Sequence, residues 1–208
     1  GSVSFSGKVD RVDSAVIDGH SYIRVIDYKS SGKAFSVSDV LQGLNMQMLI
    51  YLFTIIKNGT LRYGDALPAG VLYMPANAPA PTVGRENSEE TIEMQKQKAC
   101  KMQGLLLENS GVVLAMDKSG AGIFVPAKVN SKGELKGNLA GLDKLESLRA
   151  EVDTLLIKMG SELRQGNIQA VPAQGKRYDN ICSYCEYWDI CTHESDMPAR
   201  VLDDTKTI

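Results

Sequence analysis

The 208-residue sequence predicts an α/β fold over residues 1–170 and a Cys-rich tail over 171–208. Three observations carry that reading. Two strand-like runs flank an Asp18-Gly19 pair, an apolar run at Ala69 to Met74 is bounded by turn residues, and three segments keep amphipathic helical spacing. At 43% hydrophobic, the chain can bury one core and a small appendage.

Val3 to Ala15 and Tyr22 to Ser30 read as a β-hairpin, because Asp-Gly between apolar runs favours a two-residue turn. Residues 38–57 read as one helix. Ser38 or Asp39 can cap it, Val40, Leu41, Leu44, Met48, Tyr51, Leu52 and Ile55 keep the spacing, and Asn58-Gly59 stops it. Ala69 to Met74 reads as a central strand, closed by a loop bearing Pro75, Pro79 and Pro81. Ser88 to Asn109 reads as a second helix, opened by Ser88-Glu89-Glu90 and closing through Leu105, Leu106 and Leu107. An irregular excursion is expected over about 75–140, its Gly- and Lys-rich part at 110–140 holding small β segments such as Ile123-Phe124-Val125. Leu142 to Gln165 reads as a third helix, with Leu145, Leu148, Val152, Leu155, Leu156, Met159 and Leu163 on its apolar face.

The chemistry-bearing residues lie at the start. Asp27-Tyr28-Lys29 ends the second strand, and side chains two apart on a strand point the same way, roughly 6.5–7 Å apart. Asp27 and Lys29 can therefore flank one bound metal and phosphate, with the Tyr28 carbonyl between them. The hairpin brings Asp10 alongside as a second carboxylate. Phosphodiester hydrolysis needs hard oxygen ligands for Mg²⁺ (or Mn²⁺), an activated water, and positive charge on the developing phosphorane. Asp10 and Asp27 are assigned to the metal, and Lys29 to the water or the transition state. Asp13 should project from the opposite strand face, where a surface network with Arg11 suits it better. Gln47 and Tyr51 are four apart and share a helix face, so both can reach the same DNA strand. An Asp-x-Lys at a strand end is common on protein surfaces, and Tyr51 also fits core packing. The three elements together carry the assignment.

The pattern Gly7-x-x-Asp10-Arg11-x-Asp13, Asp27-Tyr28-Lys29-Ser30 and Gln47-x-x-x-Tyr51 resembles the RecB-type branch of the PD-(D/E)XK nucleases. Val25 to Ser31, Gly43 to Leu52, Lys101-Met102-Gln103-Gly104-Leu105 and the cysteine tail look like segments of the AddB-type subunits of bacterial AddAB helicase–nucleases. The resemblance covers nearly the whole chain. It implies a restriction-endonuclease-like mixed sheet flanked by helices, with Asp10, Asp27 and the Tyr28 carbonyl as metal ligands and Lys29 catalytic. It further implies a DNA exonuclease that cleaves one strand of an end during double-strand break repair and recombination, beside an AddA-like helicase–nuclease partner. The family's upstream histidine has no match here, since His20 sits in the hairpin turn and His193 in the tail. Strand-like sequence begins at once at Val3-Ser4-Phe5, so the chain reads as a fragment whose isolated activity should be weak.

Cys182-x-x-Cys185-x5-Cys191 has ligand-like spacing, with Tyr184, Tyr187 and Trp188 interleaved. Three thiolates require a fourth ligand. The resemblance implies a 4Fe–4S cluster in the full-length protein whose first cysteine lies far upstream and is absent here. A Cys3His zinc site completed by His193, and inert or disulfide-forming thiols, are the other readings of the spacing. In this fragment an unfilled or partial site is expected, with the aromatic residues as packing. Cys100 reads as a half-buried structural thiol within the second helix.

The formal net charge of −2 announces no broad basic surface, which suits a nuclease whose DNA is gripped mainly by other domains or subunits. No apolar run of membrane-spanning length and no secretion signal occurs, and three clustered cysteines favour a reducing, cytoplasmic compartment. No phosphate-binding Gly-rich loop of the G-x-x-x-x-G-K-[ST] type appears. Two further functions fit parts of the pattern: a small CRISPR-associated RecB-like exonuclease, and a catalytically silent, cluster-stapled scaffold that threads DNA.

Overall fold

The Asp18-Gly19 turn forms as its residues dictate. In a computed structural model describing residues 4–30, 34–77, 88–176, 178, 181–191 and 198–207, both sit at positive φ, +49° and +79°. They join β1 (Arg11–Ile17) to β2 (His20–Lys29), antiparallel from Ile17 against His20 to Arg11 against Ile26. The first strand is shorter than expected. Residues 4–10 are not strand, so Asp10 stands just before β1 and not within it.

The helix expected over 38–57 is two helices. α1 (Val37–Val40) is capped by Ser36, whose hydroxyl accepts from the Asp39 N–H at 3.3 Å, and α2 spans Gln47–Asn58. Between them Gly43 (φ +78°) and Asn45 (φ +54°) are left-handed, which no continuing α-helix admits. The Leu44 N–H turns back to the Asp39 carbonyl at 2.8 Å, and the Asn45 amide donates to the Asp39 carboxylate at 3.1 Å. The break places Gln47 in the first turn of α2. A short α3 (Thr60–Tyr63) leads into β3 (Ala66–Pro75), which runs parallel to β2 and holds the middle of the sheet, as its apolar run implied.

The expected helix over 88–109 also divides. α4 (Glu89–Ala99) is capped by Ser88, and Cys100, half-buried, follows its end. Leu105, Leu106 and Leu107 then belong to β4 (Gln103–Leu107), antiparallel to β3. A continuous apolar run is ambiguous in sequence, and burial on both faces of a sheet decides for a strand. The region 110–140 is more ordered than expected. It carries α5 (Ser110–Met116), a β5–β6 hairpin (Ala127–Val129 with Leu135–Gly137) and β7 (Leu139–Ala140), which extends the main sheet beside β4. Ile123-Phe124-Val125 is not a strand, although Val125 is buried.

The main sheet has the order β1-β2-β3-β4-β7 and mixes parallel with antiparallel pairs. α6 (Leu142–Arg164) matches its periodicity: Leu145, Leu148 and Val152 are buried, and Leu155, Leu156 and Met159 pack beside them. Leu163 is exposed. The larger core joins Ile23, Val25, Val71 and Leu105 of the sheet to Leu49 and Leu52 of α2 and Leu148 of α6. A smaller core around Ile26, Leu72, Leu106 and Val113 lies elsewhere on the sheet. Among the described residues, no helix is long and apolar enough to cross a membrane.

The tail is held at both ends. β8 (Ala173–Gln174) pairs in parallel with β9 (Arg200–Val201). Gln42 exchanges hydrogen bonds with the Asp203 backbone at 2.8 and 3.0 Å, the Arg200 guanidinium donates to the Gln42 carbonyl at 2.9 Å, and the Lys206 ammonium donates to the Leu41 carbonyl at 3.0 Å. The α1–α2 connection is thus fixed by a segment more than 150 residues away in sequence.

Candidate active site

On β2, Ile23 and Val25 join the core beneath α2, and alternation carries Asp27 and Lys29 onto that same face. Asp27 is only 8% exposed, which would be costly for an isolated carboxylate. Its counterion is the Lys29 ammonium, which meets Oδ2 in an ion pair. No hydrogen-bond donor otherwise reaches that oxygen among the described residues. Asp27 stands opposite Tyr73 of β3, and the Lys29 ammonium lies over the Tyr73 ring, 5.7 Å from its centroid.

Asp10 reaches the same end of the sheet without being part of a strand. Extending the β1–β2 register by one residue places it opposite Asp27, and its Oδ2 accepts the Tyr28 N–H at 3.0 Å. One Asp10 oxygen is therefore tied to the backbone next to Asp27. Tyr28 itself is exposed.

Gln47 and Tyr51 are joined directly, the Gln47 amide donating to the Tyr51 hydroxyl at 2.9 Å. Tyr51 is half-buried against the larger core, while its hydroxyl meets Gln47. A Cβ on Gly7 would come within 2.8 Å of the Tyr51 hydroxyl. Gly7 thus allows the chain leading to Asp10 to lie against the α2 pair, which gives the Gly-x-x-Asp spacing a steric meaning.

Asp13 is placed away from this group. It binds Arg11 Nε at 2.8 Å and Arg24 Nη2 at 2.7 Å. Burial would raise its pKa, but the hydrogen bonds from Arg11 and Arg24 outweigh that and hold it below the usual carboxylate range. The Arg11 guanidinium is shifted upward in turn, chiefly by its hydrogen bond to Asp13.

Four polar residues near the site escape sequence reasoning. Tyr73 looks like one more apolar residue of a buried strand, and only the β2–β3 register shows that it faces Asp27. Its phenol is pushed up to about 12, first by burial and then by the negative charge of Asp27. Asp39, 3% exposed, accepts from the Tyr178 hydroxyl at 2.9 Å and from Asn45, whose amide also lies 3.0 Å from that hydroxyl. An Asn two residues before α2 and an Asp three residues after the capping Ser36 are the local signals, but their meeting with Tyr178 is tertiary.

The donor set suits a hard divalent cation. Two carboxylates and a backbone carbonyl are hard oxygens, and Mg²⁺ takes few protein ligands while keeping several waters or substrate oxygens. No group of three or more His, Cys, Asp or Glu side chains gathers to hold a metal among the described residues. Among the described residues, the tail cysteines do not gather into a ligand set. Cys182 lies in a 3₁₀ turn (Ile181–Tyr184), Cys185 and Cys191 flank a second (Trp188–Ile190), and all are free thiols, the latter two exposed. His193 lies outside the described residues. The expected packing by aromatic residues is not found: Tyr184, Tyr187 and Trp188 are all exposed, Trp188 by 58%. Among the described residues, they join neither hydrophobic core.

Comparison with known proteins shows the family. The model of the PD-(D/E)XK nuclease superfamily matches residues 1–192. The chain is 38% identical to an ATP-dependent helicase/deoxyribonuclease subunit of Clostridium novyi, over 98% of this chain and 18% of that protein. The proteins of the same description from Clostridium kluyveri and Caldanaerobacter subterraneus are 35% and 32% identical, over 97% and 94% of this chain and 18% and 17% of theirs. The chain thus spans less than a fifth of the length of these relatives.

Proposed function

The chain belongs to the PD-(D/E)XK nuclease superfamily, and from that premise we propose that it is the Mg²⁺-dependent (or Mn²⁺-dependent) exonuclease domain of an AddB-like helicase–nuclease subunit. It cleaves one strand of a DNA end during double-strand break repair and recombination, in the cytoplasm, beside an AddA-like partner that delivers the strand. The observation that carries this reading is the ion pair of buried Asp27 with half-buried Lys29, with Asp10 tied to the Tyr28 N–H beside it.

Asp10, Asp27 and the Tyr28 carbonyl would hold the cation, which supplies water activation and charge neutralisation on the phosphate when bound. The Lys29 ammonium, already next to Asp27, is placed to donate to the attacking water or to a phosphate oxygen as negative charge grows. Gln47 and Tyr51 present one amide and one phenol from the same helix face, suited to a DNA backbone crossing α2. Residues 1–170 form the nuclease domain in this reading. Within the tail at 171–208, Cys182, Cys185 and Cys191 supply three ligands of a 4Fe–4S cluster in the full-length protein, the fourth coming from elsewhere.

The test is Asp27→Ala in the full helicase–nuclease assembly. It is expected to abolish Mg²⁺-dependent cleavage of one strand while unwinding continues. Cleavage of both strands at the wild-type rate would defeat the assignment.

A further inference from the structure

Among the described residues Lys29 has two partners, one a carboxylate and the other an aromatic ring. The carboxylate, Asp27, is also the proposed cation ligand, so it cannot be the sole anchor of the ammonium. The second partner is the Tyr73 ring, 5.7 Å from the ammonium. We propose that Tyr73 is a positioning residue for Lys29, its buried ring face holding the ammonium at the site while leaving its N–H groups free for water and phosphate.

Two features of the fold make the ring a fixed platform. Tyr73 lies on the central strand of the sheet, directly opposite Asp27, so its Cα is set by hydrogen-bonded neighbours on both sides. It is 3% exposed and packs in the larger core, so it has no free volume in which to turn. An aromatic face attracts a cation through its quadrupole and consumes no hydrogen-bond acceptor that the substrate should provide. A second carboxylate in that place would draw the ammonium into a tighter pair and compete with the phosphate.

This inference rests on the reading of Lys29 given above, and the experiment separates the two. In the full assembly, Lys29→Ala is expected to abolish strand cleavage. Tyr73→Leu should lower kcat about tenfold with KM for DNA changed by less than about twofold, the loss lying between those of an exposed and a desolvated cation–π contact. Tyr73→Phe, which keeps the ring, should rescue most of that loss. Full activity in Lys29→Ala would overturn the site reading itself. An inactive Lys29→Ala beside a fully active Tyr73→Leu would overturn only the role of Tyr73, and equal losses in Tyr73→Leu and Tyr73→Phe would assign the effect to the hydroxyl instead of the ring. Should Tyr73→Leu fail to fold, the wild-type 208-residue chain decides by NMR. The Lys29 ε-methylene protons are expected upfield of ordinary lysine through the ring current, and unshifted resonances would refute the contact.

Discussion

Replacing Lys29 with methionine tests the electrostatics of the site without any reaction. Methionine keeps most of the apolar stem and removes the charge, which leaves Asp27 without its counterion. The Asp27 side chain is 11% exposed and that of Lys29 28%, so the pair is neither fully dry nor a surface ion pair. Breaking a fully buried pair from one side costs about 3–5 kcal/mol, and an exposed one costs about 0–1 kcal/mol. The intermediate exposure sets an expectation of about 2 kcal/mol for Lys29→Met in the metal-free chain. For a domain of this size that corresponds to a fall in Tm of about 4–8 °C. Asp27→Asn removes the same buried charge from the other side and should cost less than Lys29→Met. The double variant should recover most of the loss, because no unpaired charge remains. Urea denaturation of the four proteins in a chelating buffer completes the cycle. A Lys29→Met midpoint equal to wild type, with unchanged slope, would mean that Asp27 is solvated by other means and that the pair does not organise the site.

Asp10→Asn should reproduce the Asp27→Ala loss of cleavage in the full assembly. Asp13→Asn should leave cleavage intact and cost about 1–2 kcal/mol of stability, because it removes hydrogen bonds between charged groups at Arg11 and Arg24. Since Asp13 has its pKa lowered by folding, its contribution is present above the unfolded carboxylate value and fades as pH falls through the folded one. The stability gap between wild type and Asp13→Asn should therefore close under acid, and a gap that widens there would reverse the assignment. The 208-residue chain alone should purify folded, with weak nuclease activity and without stoichiometric iron and sulfide. Among the described residues its three tail cysteines gather no complete ligand set, and two of them face solvent. Four irons per chain in elemental analysis would contradict that.

Local chemistry made a large part of this protein legible from residues alone. Asp18-Gly19 specified a hairpin because few residue pairs accept two successive positive φ angles. Alternation then put Asp27 and Lys29 on one face, and the helical period of α6 named its core residues. Three-dimensional context decided the rest. Whether Leu105-Leu106-Leu107 is helix or strand depends on a vacant sheet edge beside β3, which no local window contains. Asp10 reaches Asp27 from outside any strand, its carboxylate held by the Tyr28 N–H. Tyr73 faces Asp27 only through the register of two parallel strands separated by α1, α2 and α3. Asp39, Asn45 and Tyr178 meet across more than 130 residues. Periodicity and turn chemistry act over a few residues, so a sequence states them directly. Pairing register and long-range polar contacts are settled by the packing of the whole chain, and there the site acquired the residues that sequence reasoning passed over.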